Sequence, residues 1–361
     1  MSEEYSRRLK AVGAMIKRHA VDALLIEEPC DLYYLTGLTL SLGKILVDKK
    51  GKAHLFVDPR YYNLCRAKSP LAVEKLESFF DCAKKSVGKG ARLGFESKRT
   101  TYASYAKLKK ELQGRTLVPL NETMAVVRSI KDEEEIEKLR AAAELTVGGF
   151  EYVQSILDEG ITEKEVARQL EIFLLQNGAE AMAFETIVAF GKNSAYPHYR
   201  PEDVPLVDNS PILIDFGIVL NHYRSDTTRM LFFGDVDPEL QRVYTVVCNA
   251  LLKAVEIARP GVSNKMLDKE VRDYIAAEGY GDAFLHSLGH GIGIETHEMP
   301  HISSSPHAEE VTLEQGMVFT IEPGIYLSDK GGVRLENTVV IDEEGCEDIT
   351  GIPLLRFKGG G

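Results

Sequence analysis

Over residues 5–19 the apolar positions follow the three-and-four spacing of an amphipathic helix, and 22–26 form a short apolar run of strand type. Residues 44–47 and 53–57 read as a hairpin around Lys49-Lys50-Gly51. A second round follows, with strand at 92–95, helix at 102–112 and strand at 116–119. The alternation predicts a small α/β domain over residues 1–125. Its content is structural, because no cluster of acids, bases or nucleophiles stands out in it. At 129–135 the sequence turns to SIKDEEE and opens a long helix through Ile136, Leu139 and Ala143, so a second domain is expected over 126–361. The acidic run suits a helix N-terminus, where it complements the macrodipole.

The second domain repeats itself. Gly160-Ile161-Thr162-Glu163-Lys164 opens a helix ending at Asn177-Gly178, and Gly261-Val262-Ser263-Asn264-Lys265 opens another ending at Glu278-Gly279, all offset by 101 residues. Thr162 and Ser263 are natural N-caps, Thr162 in capping-box register with Glu165, and the glycines are natural stops. Each copy follows another helix, at 132–157 and 237–258. Each precedes an apolar strand that ends in a carboxylate and then a glycine: Ile212-Leu213-Ile214-Asp215-Phe216-Gly217 and Phe319-Thr320-Ile321-Glu322-Pro323-Gly324. A second acid follows, Asp226 and Glu336. Two halves of helix–helix–hairpin, each placing two carboxylates, imply a pseudo-twofold domain with a shared site at its axis.

A hairpin centred on Leu220-Asn221 would set Asp215 directly opposite Asp226, with Cβ atoms about 5 Å apart. Glu322 and Glu336 repeat the arrangement around a looser turn, Ser328-Asp329-Lys330-Gly331-Gly332. Buried like charges at such range persist if they share a proton or hold a cation, and four of them favour the cation. Seven of the nine histidines fall between residues 198 and 307. His290 sits in Gly289-His290-Gly291-Ile292-Gly293, where glycines allow close backbone approach. A helical His286/His290 zinc pair is disfavoured by the same glycines. Two Asp, two Glu and one His form an oxygen-rich set that suits a pair of divalent ions such as Mn, Co or Fe. In such sites a bridging water is deprotonated to a nucleophile, which predicts hydrolysis.

The length accommodates two domains of roughly 150 residues or more. The 43 Lys and Arg against 55 Asp and Glu leave a charge of −12, which argues against nucleic acid and anionic membrane as partners. No apolar run approaches the ~18 residues of a membrane helix, and MSEEYSRRLK is too charged for a secretory signal. Five scattered cysteines without a CxxC read as a reduced, cytoplasmic protein.

These residues resemble the creatinase/prolidase type of the pita-bread metallopeptidases. The likeness runs over essentially the whole chain, from Asp31-Leu32-Tyr33-Tyr34-Leu35-Thr36-Gly37 through IDFG (Asp215), SDTTR (Asp226), GHGIG (His290), TIEPG (Glu322) and VRLEN (Glu336). It implies a creatinase-like N-terminal α/β domain followed by a pita-bread catalytic domain, and two divalent ions per chain (Mn, Co, Fe or Zn, with Mn favoured). By resemblance Asp226 and Glu336 bridge the metals, Asp215 completes one site, and His290 and Glu322 complete the other. Glu322 also serves as general base. His297 is similar to the histidine that bonds the substrate carbonyl or oxyanion, and His198 to its partner near the leaving nitrogen. Arg334 resembles the arginine that holds the substrate or the site, a structural ion pair being the other reading. His286, His222 and His307 read as structural or surface residues.

Two departures stand out. Pro300-His301-Ile302-Ser303 has His301 where relatives often carry an arginine thought to engage a dipeptide's carboxylate, a role His301 could take. Asn337 stands where Asp is common. The tail Lys358-Gly359-Gly360-Gly361 is given no function. The expected activity is a dinuclear exopeptidase cleaving Xaa-Pro bonds by metal-bridged hydroxide attack, working on small peptides with proline second, as a homodimer. The alternatives are an aminopeptidase P acting on longer peptides, a metal-free creatinase-like C–N hydrolase, and a catalytically inert binding module. The last two would be expected to lose ligands, and all five are present.

Overall fold

The strand Ala23–Ile26 lies at the centre of the N-terminal sheet because all four of its side chains are buried. In this computed structural model, which describes residues 3–121 and 123–355, contacts divide the chain into two units, Met1–Arg128 and Ser129–Gly361. The Lys358-Gly359-Gly360-Gly361 tail lies outside the described residues.

The first unit is a six-stranded mixed sheet. Its spatial order is Ala72–Lys75, Ala53–Val57, Gly43–Asp48, Ala23–Ile26, Arg92–Glu96 and Thr116–Leu120. The hairpin read around Lys49-Lys50-Gly51 is present, with Val47 opposite Ala53. The first helix spans Glu3–Arg18 and the later one Tyr102–Glu111. Sequence periodicity did not single out the helices Pro29–Thr36, Pro59–Lys68 and Phe79–Ser86, the strand Ala72–Lys75 or the helix Thr123–Ser129. The first three helices have ten residues or fewer, too few turns to display a clear apolar stripe. The DLYYLTG segment forms the first of them and ends on Gly37 at φ 68°; its Asp31 is buried in an ion pair with Arg128.

The second unit is built twice. Helices Glu133–Ile156 and Glu163–Gln176 open one half, Pro238–Ile257 and Asn264–Ala277 the other. Asp132 and Thr162 each form a capping box, with Glu135 and Glu165, and Ser263 accepts from Lys265 and Met266 N–H. Such caps are worth ~1 kcal/mol each. Gly178 and Gly279 end the helices with φ of 112° and 92°. The equivalence extends to the loops: Gly160 N–H donates to Leu206 O and Gly261 N–H to Leu313 O, both at 2.9 Å. Each half has its own apolar core, around Leu170, Leu174, Ile212 and Ile214 in one and Val247, Val271, Phe319 and Ile321 in the other. This is the pseudo-twofold arrangement that the repeat implied, and it fits the pita-bread fold that the resemblance implied.

Among the described residues, no helix is long and apolar enough to cross a membrane, and no disulfide is present.

Candidate metal centre

Asp215 closes the buried strand Ser210–Phe216, which pairs with Thr227–Phe233. The register differs from the one read in the sequence. Asp215 faces Thr228, and the hairpin tip is Asn221-His222, with Leu220 opposite Tyr223. Both tip residues have positive φ, 50° and 68°, the requirement of a tight two-residue hairpin turn. That moves the pairing by two residues. A shift of two keeps every side chain on its face, so Asp215 and Asp226 are diagonal neighbours on one face instead of directly opposed. In the second half the expectation holds. Ile321 faces Asn337 and Gly324 faces Arg334, which leaves Glu322 and Glu336 opposite each other between the two ladder segments.

His290 lies on the short strand Gly289–Gly291, wedged between neighbouring strands. A Cβ on Gly289 would stand 1.9 Å from Thr320 O, and one on Gly291 would stand 2.2 Å from Met299 O. Only glycine fits on either side of His290. Its Nδ1 lies 3.1 Å from Gly291 O, so the N–H that donates there leaves Nε2 as the acceptor facing the carboxylates. Nε2 is 3.4 Å from Glu322 Oε1 and 3.6 Å from Asp226 Oδ2. Ligand atoms of Asp226, His290 and Glu336 all lie within 4.8 Å of one another.

The electrostatics describe a site short of positive charge. Burial, then Glu336, Asp215 and Glu322, hold Asp226 well above the usual carboxylate range. Burial likewise raises Glu336, and pushes Glu322 up to about 8. Burial pushes His290 down to about 3, which keeps its ring neutral and able to ligate. Arg334 is a buried cation bonded directly to a carboxylate of the set. Its Nη2 donates to Asp215 Oδ2 at 2.5 Å, Nη1 to Tyr326 OH at 2.8 Å and Nε to Thr228 Oγ1 at 3.0 Å. Thr228 in turn donates to Glu336 Oε2 at 2.8 Å. Asp215 Oδ1 is buried with no hydrogen-bond partner. An orphaned carboxylate oxygen, a neutral imidazole and raised carboxylates fit a divalent cation of hard or borderline type.

A cavity of about 490 Å³ collects all nine residues singled out by sequence: Asp215, Asp226, His290, Glu322, Glu336, His297, His198, Arg334 and His301. His297 lies against His290 with ring centroids 4.2 Å apart and planes tilted by 54°, and burial lowers its pKa. His198 and His301 are exposed at the rim, His301 paired with His290 across adjacent strands. Asn337 accepts from Arg229 Nη2 at 2.9 Å and donates to Asp348 at 2.5 Å, a bridge that needs an amide's donor and acceptor together.

Some lining residues escaped sequence reasoning. His286, read as structural or surface, lines the cavity. Its Nε2 lies 2.8 Å from Tyr326 OH, and burial pushes it down to about 4. Tyr326 carries no mark in the sequence beyond its place four residues after Glu322. Arg200 and Glu185 also line the cavity, on loops that the motifs do not cover. His222 takes the hairpin tip, and His307 is exposed away from the site.

The family model of metallopeptidase family M24 matches residues 137–343, and that of the creatinase/prolidase N-terminal domain matches residues 8–130. The chain is 36% identical over 344 residues to the Xaa-Pro dipeptidase of Pyrococcus furiosus, covering 95% of this chain and 97% of that one. The crystal structure of the prolidase from Pyrococcus horikoshii OT3 superposes with a TM-score of 0.88 at 35% identity, covering 96% and 99% of the two chains. The X-Pro aminopeptidase of Thermotoga maritima gives 0.83 at 34% identity, covering 96% and 98%. The chain therefore belongs to metallopeptidase family M24 and is a metallo-exopeptidase with a creatinase/prolidase N-terminal domain.

Proposed function

We propose that this chain is an Xaa-Pro dipeptidase of the prolidase type, with Asp215, Asp226, His290, Glu322 and Glu336 holding two divalent metal ions, manganese by preference. The observation that carries the reading is the convergence of these five side chains with His198, His297 and Arg334 on one cavity of about 490 Å³, a volume suited to a small peptide. Full-length similarity to enzymes named Xaa-Pro dipeptidase supports the substrate class.

Bound divalent metal supplies Lewis acidity and lowers the pKa of water at the site. The chain's own residues do the rest. Glu322, a carboxylate lining the cavity 3.4 Å from His290 Nε2, is placed to take up and return a proton there. His297, neutral and at the open side of His290, donates a hydrogen bond to the carbonyl oxygen as negative charge develops on it. His198 reaches the imide nitrogen of proline, which has no N–H and must gain a proton to leave. Arg334 fixes Asp215 through a charge-assisted bond and orients Glu336 through Thr228.

A second reading, cleavage of longer Xaa-Pro peptides, is favoured by the exposed rim at His198, His297 and His301, which leaves the mouth open to solvent. Assays of manganese-loaded protein on Gly-Pro, Ala-Pro and a longer Xaa-Pro peptide separate the two. Cleavage of dipeptides alone is expected. Equal cleavage of the longer peptide would replace dipeptidase with aminopeptidase, and full activity after chelation would overturn both.

A further inference from the structure

Two arginines line the cavity, and they stand in opposite situations. Arg334 is buried, with donors on all three of its nitrogens engaged by protein oxygens. Arg200 is 78% exposed, and its Nη2 meets Glu185 Oε2 at 2.9 Å; Glu185 is itself 59% exposed and lines the same cavity. An ion pair this open to water contributes little to folding, so stability alone does not explain it.

The backbone beneath Arg200 is fixed. Glu163, the first residue of its helix, is fully buried and accepts four hydrogen bonds from one segment. Its Oε1 takes Phe190 N–H at 2.7 Å and Asn193 Nδ2 at 2.9 Å. Its Oε2 takes Tyr199 OH at 2.8 Å and Glu202 N–H at 3.1 Å. The bonds grip the segment at its start and its end, and His198 and Arg200 project between them. An exposed guanidinium is thus carried on a hydrogen-bonded base that lines a cavity also lined by Asp215, Asp226, Glu322 and Glu336.

A dipeptide brings a carboxylate to the mouth of that cavity when its scissile bond lies at those carboxylates. A guanidinium is permanently charged and its planar fork matches a carboxylate with two parallel hydrogen bonds. We propose that Arg200 is a specificity-determining residue that binds the free C-terminal carboxylate of the substrate, and that Glu185 holds the guanidinium in place until the substrate carboxylate displaces it. This rests on the peptidase reading above and narrows it to substrates ending one residue after the cleaved bond.

The test compares an acid with its amide on the manganese-loaded enzyme. Steady-state kinetics on Ala-Pro and Ala-Pro-amide are combined with calorimetric binding of L-proline and L-prolinamide, for wild type, Arg200→Met, Arg200→Lys and Glu185→Gln. Arg200→Met is expected to raise KM for Ala-Pro roughly tenfold or more while the KM for the amide moves less than about twofold, the size of one lost charge-assisted contact. Arg200→Lys restores part of the loss. Glu185→Gln lowers KM for Ala-Pro, since the competing carboxylate is gone. Equal effects of Arg200→Met on acid and amide, or equal binding of proline and prolinamide by wild type, would overturn the assignment. Wild type that binds proline through Arg200 but cleaves no Ala-Pro would sink the peptidase reading and leave this one standing.

Discussion

Arg334 donates to one oxygen of Asp215 at 2.5 Å and leaves the other oxygen, Oδ1, buried without a hydrogen-bond partner. The pair joins the strand ending at Phe216 to the strand Gly331–Arg334, and so ties the two halves of the domain together at the site. Its electrostatic role extends past Asp215, because Arg334 lowers the pKa values of Asp226, Glu322 and Glu336 against the effect of burial.

Replacing Arg334 by Gln should therefore hurt the metal-free protein most. Breaking a buried pair costs ~3–5 kcal/mol. Urea unfolding with and without manganese measures it, and added metal should recover much of the loss. An identical loss in both conditions would mean that Arg334 acts apart from the metal-binding carboxylates.

The metal-free protein should lose stability as pH rises from about 6.5 to 8. Glu322, raised to about 8, and Asp226 and Glu336, raised well above their usual range by burial and mutual repulsion, bind more protons folded than unfolded over this range. Their contribution is complete below the ordinary carboxylate pKa and is lost as pH climbs through the raised values. His290 and His286, lowered to about 3 and 4, act in the opposite sense, but only below their unfolded value near 6.5. Thermal melts at pH 6.5, 7.3 and 8 read the slope; manganese should flatten it. A rising melting temperature across that window would refute the sign.

His297→Ala should cut turnover by ~10²–10⁴, the range for a lost acid–base or hydrogen-bonding group, with metal content unchanged by elemental analysis. Glu322→Gln should lose comparable activity and bind metal more weakly, since on the proposed roles it removes a ligand charge and the base together. Loss of metal from the His297 variant would make it a ligand.

Glu163→Ala tests the anchor under His198 and Arg200. Four donors lose their acceptor, for a cost of about 3 kcal/mol after water replaces some of the bonds. Misplacement of the segment should lower kcat/KM by ~10². Glu163→Gln keeps one acceptor oxygen and should fall between the two. A stable Glu163→Ala protein with normal kinetics would remove the anchoring role.

Local chemistry made much of this protein legible in advance. The caps at Thr162 and Ser263, the stops at Gly178 and Gly279 and the strands leading to Asp215 and Glu322 are all set within a few residues of chain, so the internal repeat could be read directly. The glycines around His290 signalled a close approach, and an added Cβ at Gly289 or Gly291 would indeed meet a backbone oxygen at about 2 Å. The hairpin register at Asp215 misled because positive φ at Asn221 and His222, not the distance between the two acids, chooses the turn. The roles of Tyr326, Glu163 and Arg200 were invisible to sequence. Each depends on partners 8 to 40 residues away, and a hydroxyl, a buried acid or a surface arginine carries no periodic or motif signal of its own. The sequence alone determined which side chains gather on one cavity. Only the tertiary structure decided how they are held, because hydrogen bonds and burial between distant segments depend on packing, and spacing along the chain does not encode it.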